Sequence, residues 1–263
     1  MNSGDDQHAN LQVAAEAVST AAGQGAHLVV LPENFAAMGA KDAERRKRSE
    51  ADGHGPVQDA LSTMAERAGV WLVGGTIPIR LDDDPRPVAA CCVYDPAGRR
   101  VARYDKIHLF DVNVPGAGER YRESANTAPG RSAATVETPW GRLGLAVCYD
   151  LRFPELFRKL VADGADLFVV PAAFTHATGS AHWEVLLRAR AIENLCYVVA
   201  AAQTGHHPGG RRTWGHSMVI GPWGEVLADG GDRPGPVLAA VDPARPHRLR
   251  AEFPVLTHRV AGL

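Results

Sequence analysis

Apolar positions recur along this chain with two alternating periods. From Asn10 to Ala22, Leu11, Ala14, Ala15, Val18 and Ala21 share the face of an amphipathic helix. A short apolar run, His27–Leu31, follows and stops at Pro32-Glu33. Val57–Ala68 predicts a second helix, with Ala60, Leu61, Met64 and Ala68 on one side. Val70–Ile79 and Val88–Tyr94 read as strands, and the turn Asp95-Pro96-Ala97-Gly98 makes Val88–Tyr104 a hairpin. Ser132–Glu137 and Leu143–Val147 flank a second turn at Thr138-Pro139-Trp140-Gly141. Beyond it, Glu155–Ala162 is amphipathic and Ala165–Val170 is an apolar strand run. His182–Glu193 is helical, with Val185, Leu186, Ala189 and Ile192 as its expected apolar stripe. Cys196–Ala202 is again a strand, and Ser217–Ile220 and Glu225–Ala228 flank a third turn at Gly221-Pro222-Trp223-Gly224.

Helices and strands interleaved with hairpins predict a layered α/β fold with mixed sheets, organised as one domain over residues 1–263. A net charge of −2 gives no electrostatic footprint of nucleic-acid or membrane binding. No apolar run reaches the length of a membrane span. The opening Met1-Asn2-Ser3-Gly4-Asp5-Asp6 lacks the basic and apolar regions of a secretory signal. The four cysteines are Cys91, Cys92, Cys148 and Cys196, without the CxxC or Cys/His spacing of a zinc site. No metal and no cofactor are expected, and a reduced, cytoplasmic protein is the simplest reading. Cys91 and Cys92, adjacent in a strand, are expected to face opposite sides.

Three loops stand apart. Residues 34–56 carry the run Glu44-Arg45-Arg46-Lys47-Arg48, read as a solvated face. Residues 111–131 are rich in Gly and Pro and long for a compact domain, which marks a functional loop. Residues 203–212 hold His206-His207 and read as a flexible hairpin tip rather than a metal site.

Cys148 is the leading candidate for chemistry. Gly144–Val147 reads as a buried strand end, and Pro154 lies near the start of the next helix, so the cysteine occupies an abrupt turn between them. The positive end of that helix favours the thiolate. The plainer alternative is a small buried hydrophobe. A nucleophile needs a base, and His108 and His182 are available in apolar context. Glu33 is the other choice, because it ends an apolar run, at the sheet edge where open α/β folds bind ligands. Lys106 follows the strand Arg99–Tyr104 and is either an oxyanion stabiliser or a snorkelling side chain. Glu123, among Arg120, Tyr121, Arg122 and Ser124, is by itself an ordinary carboxylate.

Together these segments carry a resemblance. Leu-Pro-Glu-Asn-Phe around Glu33, Tyr-Asp-Lys-Ile-His-Leu-Phe-Asp around Lys106 and Gly-Leu-Ala-Val-Cys-Tyr-Asp-Leu-Arg-Phe-Pro-Glu around Cys148 resemble, in order, the signature segments of the nitrilase (carbon–nitrogen hydrolase) superfamily. The resemblance implies an αββα sandwich of two mixed sheets that assembles into homodimers or larger forms. It implies a Glu33–Lys106–Cys148 triad supported by Glu123. Cys148 would attack an amide, Glu33 would serve as base with a pKa raised by burial, and Lys106 would hold the oxyanion beside the Tyr149 N–H. The family's first apolar strand is missing from this sequence, which opens at the polar turn that usually follows it.

The second half resembles the Nit branch of amidases, through Pro171–Gly179, Ala181–Asn194, Cys196–Gln203 and Trp214–Ile220. The Ala200-Ala201-Ala202-Gln203 run and the segment around Cys148 resemble enzymes acting on deaminated glutathione more than omega-amidases acting on 2-oxoglutaramate or 2-oxosuccinamate. The implied reaction is cysteine-dependent hydrolysis of a small carboxamide to carboxylate and ammonia. Nitrile hydrolysis, a silent binding protein of the same fold, and a histidine base in place of Glu33 are the alternatives. Arg152 is a candidate clamp for the substrate carboxylate, or else a structural ion pair with Glu155 or Asp150. Tyr149, Phe174, Thr175 and Trp183 are candidate pocket residues.

Overall fold

A computed structural model describes residues 1–39, 46–116 and 118–260. Helix α1 (Gln7–Gly23) starts where the Asp6 carboxylate accepts the Ala9 N–H. Strand β1 (Leu28–Val30) follows, then α2 (Pro56–Ala68), which has proline in its first turn and ends on left-handed Gly69. Next come β2 (Trp71–Val73), β3 (Ile77–Ile79), β4 (Val88–Tyr94) and β5 (Arg100–Asp105). β1 pairs in parallel with β2. β2 and β3 lie in succession along one edge of β4, and β5 runs along the other, all antiparallel to it.

The loop after β5 folds into a small ribbon, β6 (Asp111–Asn113) with β7 (Arg120–Arg122). β8 (Thr135–Thr138) and β9 (Gly141–Leu145) form the second expected hairpin and lead into α3 (Pro154–Ala162). β10 (Leu167–Ala172), α4 (His176–Asn194) and β11 (Tyr197–Ala202) form a parallel crossover. A second ribbon, β12 (Thr204–His206) with β13 (Arg212–Trp214), precedes β14 (Met218–Ile220), β15 (Val226–Asp229) and α5 (Arg245–Glu252). The second large sheet has the order β15-β14-β11-β10-β9-β8.

Two cores make this an αββα sandwich. One packs Ala14, Val18, Leu61 and Ala65 of α1 and α2 onto Leu72 and Cys92 of the first sheet. The other joins Val73, Cys91 and Tyr104 of that sheet to Leu145 and Val169 of the second, and extends to Phe157, Trp183 and Leu187 of α3 and α4. Cys91 and Cys92 thus enter different cores, as their alternation requires. All of β4 is buried, because it is covered on both faces. Among the described residues β1 has no strand on its outer edge, and a cavity of about 580 Å³ lies there, lined by residues 28–32, 199–202 and 235–241.

The fold departs from the sequence reading in three places. Val70–Ile79, expected as one strand, is broken into β2 and β3 at Gly74-Gly75. Gly75 has φ +56°, and a Cβ there would stand 2.1 Å from the carbonyl oxygen of Pro32, so only glycine lets the chain pass. α4 begins at His176, under a Thr175 cap, rather than at His182. Its buried stripe is Trp183, Leu187, Ala191 and Asn194, while Val185 and Ile192 are exposed. In the charged run, Glu44 and Arg45 lie outside the described residues, whereas Arg46 and Lys47 are exposed.

No helix of the described residues is long and apolar enough to cross a membrane. Replacing Gly75 by alanine is expected to cost more than about 2 kcal/mol in denaturant unfolding, since strain and a backbone clash add. Gly231→Ala is the control, because Gly231 has φ +61° with nothing within 4 Å of its Cβ, and should cost only about 1 kcal/mol.

Candidate active site

Strand ends from both sheets converge on one pocket. Glu33 follows β1 through Pro32, and Lys106 directly follows β5. Glu123 opens a 3-10 turn (Glu123–Ala125) after β7. Cys148 starts another (Cys148–Arg152) between β9 and α3. Its φ is +48°, a left-handed conformation that costs a non-glycine residue about 1–2 kcal/mol. The turn is held by Asp150, which is completely buried. Asp150 Oδ2 accepts the Val147 N–H at 2.8 Å and the Tyr104 hydroxyl at 2.7 Å. Its Oδ1 accepts the His108 N–H at 3.1 Å and stands 2.7 Å from His108 Nδ1.

The centre of the site is Lys106, only 1 % exposed. Its Nζ donates to Glu33 Oε1 at 2.8 Å and to both oxygens of Glu123, at 3.0 and 2.9 Å. Glu123 is held in turn by the Phe110 N–H, 2.7 Å from Oε2. Glu33 is anchored through its backbone: buried Gln203 donates to the Glu33 carbonyl at 3.2 Å and to Ser3 Oγ at 2.8 Å.

These contacts decide the protonation states. Burial alone would raise the Glu33 pKa, but the Lys106 ammonium beside it, its hydrogen bond, and Arg211 outweigh burial and hold the carboxyl below its ordinary value. Burial would lower Lys106, yet Glu123 and Glu33 push it up. The Cys148 thiol is pushed up by burial first and then by the Glu33 charge, with Lys106 and the Ala173 N–H pulling the other way. Two expectations are therefore corrected. The resting thiol is protonated rather than biased to thiolate by the following helix, because burial and an adjacent carboxylate dominate. Glu33 rests ionised rather than raised in pKa, because an ammonium touches it.

The pocket encloses about 460 Å³ around Cys148, Glu33, Lys106 and Glu123. Tyr149, Phe174 and Thr175 line it, as anticipated. Trp183 does not: it is a core residue 4.8 Å from the Phe174 ring, with its indole N–H given to the His216 carbonyl. Arg152 is not among the lining residues; its Cζ stands 5.9 Å from the Tyr149 ring centroid and 5.2 Å from that of Phe174, with Nη1 3.3 Å from His182 Nδ1. Neither expected ion pair forms, since Asp150 is engaged elsewhere and Glu155 is exposed. Neither histidine candidate lines the pocket: His108 stacks on Phe153 at 3.7 Å, and His182 meets Arg152.

Sequence reasoning missed Arg211, which lines the pocket from the β12–β13 tip. That tip reads as polar and Gly-rich, and its one structural signal was His207. His207 is buried, with Nδ1 2.9 Å from the Ser3 carbonyl and Nε2 2.7 Å from Thr213 Oγ1, so the tip is pinned to the body. Gln203 was visible only as a member of a matched motif, and Asp150 as that and as an expected partner of Arg152.

A buried thiol facing an ionised carboxylate and a doubly paired ammonium, in an αββα sandwich, is an arrangement suited to hydrolysis through a sulfur nucleophile. The chain belongs to the carbon–nitrogen hydrolase family, whose model it matches over residues 1–251. It is 46% identical, over 95% of this chain and 92% of the relative, to a deaminated glutathione amidase of Synechocystis sp.. The crystal structure of the C. elegans NitFhit protein superposes with a TM-score of 0.90 at 40% identity over 98% of this chain. This chain spans only 63% of that longer protein. An amidase from Nesterenkonia sp. AN1, bearing acrylamide added to its active-site cysteine, superposes with a TM-score of 0.77 at 28% identity, over 96% of this chain and 94% of that one. The protein is a hydrolytic amidase of this family.

Asp150→Ala is expected to lower stability by about 3 kcal/mol in thermal or denaturant unfolding, by stripping charge-assisted bonds from the Val147 N–H and its neighbours.

Proposed function

We propose that this chain acts as a single catalytic unit that hydrolyses the amide of deaminated glutathione through Cys148, Glu33 and Lys106. What carries the reading is the Cys148 thiol set beside an ionised Glu33, with Lys106 locked between Glu33 and Glu123. As the sulfur attacks the amide carbonyl carbon, Glu33 accepts the thiol proton. The carbonyl oxygen becomes an oxyanion held by Lys106 Nζ and the Tyr149 backbone N–H. That oxyanion shares the ammonium field with Glu33, so the carboxyl gains proton affinity when it must hold a proton. Glu33 then gives the proton to the leaving nitrogen, and the C–N bond breaks to leave a thioester on Cys148. A water, deprotonated by Glu33 and oriented by Glu123, attacks the thioester and restores the thiol.

In deaminated glutathione the reacting carboxyl is bound to the cysteinyl nitrogen, so the leaving group is the amine of cysteinylglycine. In 2-oxoglutaramate it is ammonia. Both reactions release 2-oxoglutarate. The pocket wall and rim carry Arg120, Arg122 and Arg211, which suits the two carboxylates of deaminated glutathione better than the single one of 2-oxoglutaramate. The similarity to the Synechocystis enzyme supports the same choice. The four free, buried cysteines suit a reduced, cytoplasmic setting. Exposed Val185, Ile192 and Trp223 offer an apolar surface for self-association into a homodimer or larger form.

Release of 2-oxoglutarate should have a higher kcat/KM with deaminated glutathione than with 2-oxoglutaramate, with Cys148→Ala as blank. Equal values would remove the substrate preference. Glu33→Gln should lower kcat/KM by roughly 10²–10⁴-fold, and retained activity would sink the glutamate-base mechanism. Catalysis needs Glu33 ionised and Cys148 protonated. With the first pKa lowered and the second raised, kcat/KM should be flat through neutral pH. The acid limb should fall below the ordinary glutamate range. An acid limb in the histidine range would contradict this assignment.

A further inference from the structure

We propose that Arg211 binds the carboxylate on the acyl half of the substrate and so sets the preference for anionic amides; this deepens, and rests on, the amidase reading above. Three observations carry it.

The first is position. Arg211 sits at the β12–β13 tip that buried His207 pins, and its carbonyl accepts the His207 N–H at 2.9 Å. Its Nη2 donates to the Ala173 carbonyl at 2.5 Å, while the N–H of the same Ala173 is directed at the Cys148 sulfur. A single residue, about 3.5 Å of backbone, plus two hydrogen bonds therefore separates the guanidinium from the reacting atom. A short oxo-acid chain, bonded to sulfur at one end and carrying a carboxylate at the other, fits that reach.

The second is unused donor capacity. Among the described residues no carboxylate lies within ion-pairing distance of Arg211, whereas buried Arg190 pairs with Glu193 and Arg250 pairs with Asp166. Arg211 Nε is buried and has no hydrogen-bond partner. The Tyr121 ring, 5.3 Å from Cζ, packs on the guanidinium and leaves its in-plane donors available. A buried donor without a partner is costly, and an incoming carboxylate relieves it.

The third is charge. Glu33, Glu123 and Lys106 together carry one net negative charge, which repels an anionic substrate at close range. Arg211 offsets that charge from inside the wall. Arg120 and Arg122 are exposed, and Arg152, which is not among the lining residues, packs on the Tyr149 and Phe174 rings.

The test compares kcat/KM for 2-oxoglutaramate with that for 4-oxopentanamide, which keeps the ketone and amide but has a methyl group in place of the carboxylate. The wild-type protein should favour 2-oxoglutaramate, and Arg211→Gln should shrink that ratio roughly 10- to 100-fold. Arg211→Lys should restore part of it, keeping charge without the bidentate fork. Equal losses on both substrates in Arg211→Gln, or a ratio that collapses in Arg152→Gln instead, would overturn the proposal. Wild-type protein that turns over neither amide above the Cys148→Ala blank would overturn the amidase reading itself, an outcome distinct from a failure of Arg211.

Discussion

The ammonium of Lys106, buried between Glu33 and Glu123, is the interaction on which the rest of the site depends. A buried cation is tolerated only when paired and hydrogen-bonded, and here two carboxylates surround it at 2.8–3.0 Å. The three groups come from the ends of β1, β5 and β7, so the pair also ties the long loop over the pocket to the first sheet. Removing Lys106 would leave two carboxylates without their shared cation in a buried place, whereas removing either carboxylate leaves Lys106 with a single partner. The same ammonium keeps Glu33 ionised against burial, and burial together with the ionised Glu33 keeps Cys148 protonated. The resting site is thus a neutral thiol next to a charged base, and in the proposed reaction the arriving carbonyl starts proton transfer.

That chemistry needs the two sheets held in a fixed relation, because Glu33 and Lys106 come from one and Cys148 from the other. Two buried polar clusters do this across the join. Asp150, beside the nucleophile, accepts bonds from Tyr104 and His108 on the β5 side. Gln203, at the end of β11, bonds Ser3 and the Glu33 carbonyl. Buried polar groups with partners are directional in a way that apolar packing is not. They fix the relative placement of the strand ends, while the surrounding Val, Leu and Phe side chains supply bulk stabilisation.

Much of this was legible along the chain. Apolar runs that stop at a charged residue placed Glu33 and Lys106 at strand ends, and the strand–turn–helix pattern placed Cys148. What escaped depends on which charges meet in space. The isolated logic of a helix N-terminus favours a thiolate at Cys148, but sequence does not reveal that a carboxylate stands beside it. Burial alone argues for a raised Glu33, and only the contact with Lys106 reverses the sign. The stripe of α4 was misread because Val185, Leu186, Ala189 and Ile192 are as well spaced as Trp183, Leu187 and Ala191. Only the sheet beneath selects between them. Arg211 escaped for a related reason: it is remote from Cys148 in sequence, and only the folded β12–β13 tip brings it to the pocket.

The arrangement of arginines bears on how such a pocket can be both reactive and selective. A charged base close to a thiol makes a negative site, and a negative site disfavours the anionic substrates proposed for it. Spreading positive charge over the mouth would draw anions in but would not orient them, because exposed charges are screened within about 10 Å by salt. A guanidinium inside the wall acts at contact distance and with fixed geometry. Arg211 is placed there by a pinned hairpin, and its bond to the Ala173 carbonyl ties it to the residue whose N–H meets the nucleophile. Recognition at one end of a short acyl chain and attack at the other would then be registered through a single residue, so an amide without the carboxylate would enter the pocket without being held in line for Cys148.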